Sequence, residues 1–187
     1  MSDVDLLDTA ALESGLDVIR AAPADHGTLE LIVARPAVGQ RTVLDAAVLD
    51  LRSGLLGDNW AERGSRKTDD GSAHPEMQLN VISSRAIDLI AAGDRDRWRL
   101  AGDQLYLDLD LGVDNLPTGT RLALGDAVIE VTAVPHNGCA KFSERFGRDA
   151  VRFVNSPAGK ELRLRGLNAK VVVGGTIRRG DVVSKVD

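Results

Sequence analysis

The sequence predicts a mainly β protein: a closed or nearly closed barrel with a few helices and a helical extension at its N-terminus. Three observations carry this prediction. Apolar and polar side chains alternate with a period of two in short runs from residue 28 onward. Gly-Asp pairs of the kind that reverse a chain stand between several of these runs, at Gly125-Asp126 and Gly180-Asp181. Helical spacing is too rare to alternate with the strands, which disfavours a doubly wound α/β sheet; many short strands close into a barrel because closure removes exposed edges.

Taken in order, residues 5–21 place Leu6, Leu7, Ala10, Ala11, Leu16 and Ile19 at helical spacing and predict an amphipathic helix. The run Ala21-Ala22-Pro23-Ala24-Asp25-His26-Gly27 ends that pattern and reads as a linker. The expected organisation is therefore a helical extension over residues 1–26 and a barrel domain over 27–187. Strand patterns follow at 28–34, 42–49, 77–82, 104–111, 121–124, 127–134, 169–173 and 182–186. In Gln104-Leu105-Tyr106-Leu107-Asp108-Leu109-Asp110-Leu111 every second residue is leucine, the mark of a strand buried on one face. Ser83 or Ser84 can cap a helix over 85–92. Phe142, Phe146, Ala150, Phe153 and Val154 define another, with Gly147 a point where it can split. The stretch from Gly119 to Val128 echoes that from Gly175 to Val183, and both read as strand, Gly-Asp turn and returning strand.

Composition narrows the function. With 187 residues, 43% of them hydrophobic, the chain can bury a full core. No run approaches the roughly 20 apolar residues that cross a bilayer, and Met1-Ser2-Asp3-Val4-Asp5 lacks the basic-then-apolar order of a secretory signal, so no membrane association and a cytoplasmic location are expected. A net charge of −5 and 3% aromatic residues argue against nucleic acid as a partner. Charge is unevenly spread: residues 1–30 carry a net −6, whereas residues 139–165 carry a net +4. The positive stretch surrounds the one cysteine of the chain, which suits a small anionic cofactor.

That cysteine, Cys139, lies in Val134-Pro135-His136-Asn137-Gly138-Cys139-Ala140-Lys141-Phe142, between a strand pattern and a helix pattern. Such a junction places a side chain at the rim of a barrel, beside the unpaired N–H groups of a helix N-terminus, where a thiolate is favoured. A thiolate there can act as nucleophile, sulfur carrier or soft metal ligand; the alternative is a buried cysteine that only fills space. His136, three residues earlier, can approach it through the Asn137-Gly138 turn. With His74 or His26 as a third ligand the pair could also hold zinc. The polar, glycine-rich stretch from Leu55 to Pro75 has the length of a functional loop, yet it contains no phosphate-cradle or dinucleotide fingerprint. A non-catalytic barrel that binds a small ligand or a partner remains the alternative to a reactive site.

Several of these pieces together resemble the MOSC family, the domain named for the C-terminal part of molybdenum-cofactor sulfurase. They are Gly57-Asp58, Asp114-Asn115-Leu116, Gly125-Asp126-Ala127-Val128-Ile129-Glu130-Val131, His136-x-Gly138-Cys139-x-Lys141, and Arg165-Gly166-Leu167-Asn168-Ala169-Lys170-Val171 before Gly180-Asp181, in family order over residues 27–187. The resemblance implies a pyruvate-kinase-type β-barrel that binds the molybdenum-pterin cofactor (molybdopterin). By the same match Cys139 takes the role of catalytic residue and metal ligand. His136, Lys141, Asn115, Arg165 and Asn168 become candidates for holding the pterin or its phosphate. Family members either reduce N-hydroxylated compounds or carry sulfur, the latter with a desulfurase as sulfur donor; pyridoxal phosphate enters only as an association with desulfurase-fused members. Many members place a basic residue or histidine after Gly-Asp, where this chain has Asn59 and Trp60.

Overall fold

A computed structural model of the protein describes residues 6–187. The chain runs α1 (Thr9–Ser14), α2 (Leu16–Arg20), β1 (Gly27–Ala34), β2 (Thr42–Leu44), β3 (Ala46–Asp50), β4 (Gly54–Leu55), α3 (Trp60–Arg63), β5 (Leu79–Ser83), α4 (Ser84–Ile90) and α5 (Arg95–Trp98). It continues through β6 (Leu105–Asp108), β7 (Arg121–Leu124), β8 (Ala127–Val131), α6 (Ala140–Asn155), α7 (Pro157–Glu161), β9 (Leu167–Val173), β10 (Gly175–Arg178) and β11 (Val182–Val186). Seven strands close into a barrel in the order β1-β11-β7-β8-β9-β5-β6, and β2 extends it from β1. All neighbours are antiparallel except β5 and β6, whose parallel pairing needs the crossover that α4 and α5 supply. A separate three-stranded sheet has the order β10-β3-β4.

Alternation along the strands builds two cores. Leu29, Leu79, Val81, Leu105, Leu107 and Ile129 point into the barrel. Val33, Ile82 and Tyr106 of the same strands point outward, against Phe142, Phe146 and Phe153 of α6 and Ile87 of α4. Strand β6 is thus buried on both faces for most of its length, where the alternating leucines predict one; the helices cover the other. Tyr106 shows how that second face tolerates a polar atom, since its hydroxyl donates to the Trp98 carbonyl at 2.9 Å.

The N-terminal helix expected over 5–21 is two short helices broken at Gly15, where a β-carbon would strike Leu89, and its first residue lies outside the described residues. Asp8 caps α1 by accepting from the Ala11 N–H at 2.8 Å, and Leu12 and Ile19 seal it onto the helical side of the molecule. The 42–49 pattern divides into β2 and β3 around Asp45. The internal echo is a shared turn without a shared hairpin. Strands β7 and β8 pair across Gly125-Asp126, whereas β10 pairs with β3, and β11, after Gly180-Asp181, pairs with β7 and β1. Among the described residues no helix is long and apolar enough to cross a membrane.

Register brings the last residues of β1 and β8 beside the first residues of β6 and β9, and both beside the start of β5. Gly166 is the tight point beside them: its φ is 98°, and a β-carbon there would fall onto the Val81 carbonyl. Gly57 also has a positive φ, 86°, but open space around it. Gly57→Ala is therefore expected to cost only the left-handed backbone penalty of about 1–2 kcal/mol, and Gly166→Ala clearly more, as read from urea unfolding of both variants.

Candidate functional site

The end of the barrel that gathers these strand termini is filled by charged and amide side chains. Arg35, just past β1, donates from Nε and Nη2 to the two oxygens of Asp58 at 2.8 and 2.9 Å, and both side chains are almost fully buried. Its Nη1 donates to Asn80 Oδ1 at 2.8 Å; Asn80 Nδ2 in turn donates to Asn168 Oδ1 at 2.7 Å, and Asn168 Nδ2 to the Val134 carbonyl at 2.9 Å. Beside this relay, Arg165 Nη1 donates to both oxygens of the fully buried Asp103, at 3.0 and 2.7 Å, and Nη2 to the Ala101 carbonyl at 3.1 Å. The Arg165 guanidinium also stacks on Phe142, 4.8 Å from the ring centre. Burial pushes the Asp103 carboxyl above its ordinary range, and Arg165 opposes that push.

The segment from Thr132 to Cys139 leaves this network as a loop. Its first residue is held by Thr132 Oγ1 donating to the Glu76 carbonyl at 2.6 Å. At its far end, Gly138 N–H donates to Asn155 Oδ1 at 3.0 Å and Asn155 Nδ2 returns a bond to the Gly138 carbonyl at 3.3 Å. A residue at the end of α6 reaches the residue before its start because Gly147, at φ 87°, breaks the helix and lets it fold back. Cys139 caps α6 with extended backbone geometry, its side chain exposed and free of any capping hydrogen bond.

Two clefts flank the chain at Cys139. One, of about 410 Å³, is lined by Thr118, His136, Asn137, Lys160, Arg163 and Arg165 among others, and by no acid among the described residues. The other, of about 200 Å³, is lined by Arg35, Arg41, Asn59, Arg63, Lys141 and Arg145, with Glu144 as its acid. Burial, then the neighbouring Arg145 and Arg35, lowers the pKa of Arg41; burial, then Arg35, lowers that of Arg63. Five buried side-chain atoms lack a hydrogen-bond partner among the described residues, and four of them belong to residues that line the clefts: Arg41 Nε and Asn59 Oδ1 at the smaller, His136 Nδ1 and Arg165 Nε at the larger. Unpartnered buried polar atoms are costly, and their collection here marks surfaces shaped for a polar ligand. A larger hollow of about 510 Å³, by Val18, Arg85 and Trp98, includes none of these atoms.

The residues singled out from sequence separate into groups. His136 and Arg165 share the larger cleft and Lys141 lines the smaller; Cys139 lines neither and lies between them along the chain. Asn168 belongs to the network but is fully buried with its amide partnered on both atoms, so it holds the loop rather than facing a ligand. Asn115 is elsewhere: it donates to the Ala24 and Asp110 carbonyls and accepts from Lys185, pinning the linker to the barrel, and it lines neither cleft. The turn expected at Asn137-Gly138 does not form: residues 135–139 run without one, His136 lies with its Nδ1 3.5 Å from Asp103 Oδ1, and Cys139 is exposed. Burial first, then Arg165, Arg35 and Lys67, lowers the His136 pKa well below the ordinary histidine value, so the imidazole is neutral and that contact is not an ion pair. His74 accepts from the Glu76 N–H, His26 sits by Asp25, and no three His, Cys, Asp or Glu side chains among the described residues form a metal-holding group. Arg35, Asn80 and Asp103 are absent from the sequence-based set. The available signal was a charged or amide residue at the edge of an apolar run, at Arg35 after Ala34 and at Asn80 inside Leu79-Asn80-Val81-Ile82.

Comparison with known proteins gives one family and one fold. The family model described as MOSC domain matches residues 68–184. No curated protein gives a significant match. Among solved structures, YuaD from Bacillus subtilis is similar with a TM-score of 0.60 at 16% identity, over 84% of this chain and 93% of that one. YiiM from Escherichia coli is similar with a TM-score of 0.55 at 20% identity, over 86% of this chain and 70% of its own. YiiM from Geobacillus stearothermophilus has a TM-score of 0.53 at 13% identity, over 89% of this chain and 75% of its own.

Two measurements probe the site's electrostatics. Asp103→Asn leaves Arg165 buried without a counter-charge and is expected to destabilise by about 3–5 kcal/mol. Arg121→Gln, which breaks the more exposed pair with Glu130, is expected to cost under about 1 kcal/mol in the same urea titrations. For His136 the folded-state pKa is lowered, so the unfolded chain binds the proton more readily. The resulting stability is full above the unfolded value near 6.5 and is lost as pH falls below it, by up to about 1.4 kcal/mol per pH unit. Between pH 7 and 5 the wild type should therefore lose more unfolding free energy than His136→Gln.

Proposed function

We propose that this chain, which belongs to the MOSC domain family, binds a molybdenum-pterin cofactor at the open end of its barrel, with the Cys139 thiolate as the metal ligand. The observation that supports this reading most directly is the exposed sulfur on the segment that joins the lining of one cationic cleft, at Asn137, to that of the other, at Lys141. Those residues fit the group chemically: a thiolate is the soft ligand such a metal takes, and an unpaired guanidinium cluster suits a phosphate. Arg41, Arg63, Lys141 and Arg145 would hold the phosphate in the smaller cleft, whose volume of about 200 Å³ is of phosphate size rather than ligand size. When bound, the cofactor supplies a metal able to take and return electrons.

The chain's own residues do the rest. Arg35, Asp58, Asn80 and Asn168 fix the carbonyl of Val134, and Asn155 fixes Gly138, so the loop ending at Cys139 is tied at both sides. His136, neutral, can donate or accept a hydrogen bond at the wall of the larger cleft without adding charge. The same constellation serves a reductase of N-hydroxylated compounds, or a persulfide carrier on Cys139 served by a sulfur-donating desulfurase.

Reconstitution of the full chain with the molybdenum cofactor, followed by gel filtration and metal analysis, tests the ligand role. The wild type is expected to retain about stoichiometric molybdenum and Cys139→Ser to lose most of it, since a hydroxyl is a poor soft-metal ligand. Equal retention by both proteins would overturn the assignment.

A further inference from the structure

We infer that the 410 Å³ cleft beside His136 is a second, independent anion site, built to bind a small organic acid or phosphate ester as substrate. The proposal deepens the reading above and relies on it only for the word substrate; the anion site itself stands without any cofactor.

Four observations carry it. The cleft shares no lining residue with the smaller one among the described residues, so an anion held by Arg41, Arg63, Lys141 and Arg145 leaves it unserved. Its charged lining is all positive, Lys160, Arg163 and Arg165, and although Arg165 is paired with Asp103 behind it, no ion pair answers Lys160 or Arg163 among the described residues, in a protein that as a whole carries −5. A field of one sign in a concave wall draws small counter-ions far more than it draws a polymer to a flat face. Its volume falls within the roughly 300–1,000 Å³ of sites that enclose small molecules.

The last observation concerns which donors are still available. Arg165, which lines the cleft, commits both terminal nitrogens to Asp103 and Ala101, and its buried Nε has no acceptor among the described residues. His136 lines the same wall, with its Nδ1 turned to Asp103 Oδ1 at 3.5 Å. Nearer solvent, Arg163 uses Nη1 on the Leu116 carbonyl at 2.6 Å and leaves Nε and Nη2 without a hydrogen bond among the described residues. Its backbone, at φ 47°, sits in the left-handed region that a non-glycine residue rarely adopts. Backbone strain of this kind is retained where the surroundings demand a particular side-chain direction. Lys160 is exposed and has no ion-pair partner among the described residues. An acid group entering between Lys160 and Arg163 would meet two cations at the mouth, with Arg165 behind them.

The test is a two-dimensional ¹H–¹⁵N titration of the full chain with inorganic phosphate and, separately, with acetate. The amides of residues 132–137 and 159–167 are expected to shift with a saturable affinity for at least one probe, and the probe preferred tells which acid the cleft accepts. Lys160→Gln and Arg163→Gln should each weaken that affinity about tenfold, the loss expected for one charge-assisted hydrogen bond. Arg63→Gln, in the other cleft, should leave it unchanged. Lys160 is exposed, so its variant keeps the fold even if that of Arg163 does not. Shifts confined to residues around Arg41, Arg63 and Lys141, no saturable shift with either probe, or shifts unaffected by Lys160→Gln would overturn the proposal. Cys139→Ser should bind the probes like wild type. Loss of the molybdenum-ligand reading therefore leaves this one standing, and the reverse also holds.

Discussion

A carboxylate with no exposure, Asp103, sets the terms for the open end of this barrel. Taking such a group out of water costs several kcal/mol even after relaxation, and the structure meets that cost with the two-pronged bond from Arg165. Arg165 must then be buried as well, which it is by stacking on Phe142 and bonding the Ala101 carbonyl. The position of α6, which carries Phe142, and that of the segment entering β9, which carries Arg165, are thus tied to one buried charge. The second pair, Arg35 with Asp58, does the same for the end of β1 and the start of the long loop before β5. Two apolar cores hold the strands and helices together, but they do not orient this end; the charged pairs do, because their geometry is directional and their misplacement is expensive.

From those anchors the arrangement at Cys139 follows locally. The Thr132–Cys139 loop would be free to move if only its ends in β8 and α6 held it. The amide relay from Arg35 through Asn80 and Asn168 grips it at Val134, and Asn155 grips it at Gly138. The second grip exists because a glycine at position 147 turns the helix back toward its own start. A side chain at that position would need a left-handed backbone and would approach Leu6, so the kink and the packing of the N-terminal segment depend on one residue. The result is a sulfur presented to solvent on a segment that cannot easily swing, which is what either metal ligation or group transfer asks of a first ligand.

The barrel was legible because its physical signal is local. Alternation of period two in strands such as 105–108 and 127–131, and turns at Gly-Asp pairs, follow from side-chain geometry a few residues at a time. Gly147 as a helix break was legible for the same reason. What could not be read locally was partnership. The sequences around Gly125 and Gly180 look alike, yet only the first closes a hairpin, because closure of the barrel claims β11 for β1 and β7. Tyr106 sits at a position that alternation assigns to solvent and is buried because α5 and α6 lie over it, a decision made by elements distant in sequence. The site divides in the same way. Cys139, His136, Lys141 and Arg165 carry signals in a compact motif or a basic stretch. Asp103 and Arg35 gain meaning only from partners 62 and 23 residues away. Asn115 had a motif's signal, but its amide is committed to the linker.

An acidic protein that concentrates cations at one end stores electrostatic free energy there. Arg41, Arg63, Lys141 and Arg145 line one small cleft with a single acid, Glu144, and burial together with mutual repulsion already depresses the pKa of Arg41. His136 is kept neutral by burial and by the same field, reaching it from Arg165, Arg35 and Lys67. These costs are relieved by an anion; of the nearby carboxylates Asp58 and Asp103 are already paired, which leaves Glu144 alone against the cations of the smaller cleft. Free energy stored this way returns as affinity: a ligand that neutralises the cluster gains both its own contacts and the repulsion it removes, and it stabilises the fold in proportion to its concentration. The polar atoms left without partners in both clefts are the structural side of the same account. Arg41 Nε and Arg165 Nε are donors and suit negatively charged oxygen, whereas Asn59 Oδ1 is an acceptor and calls for a donor.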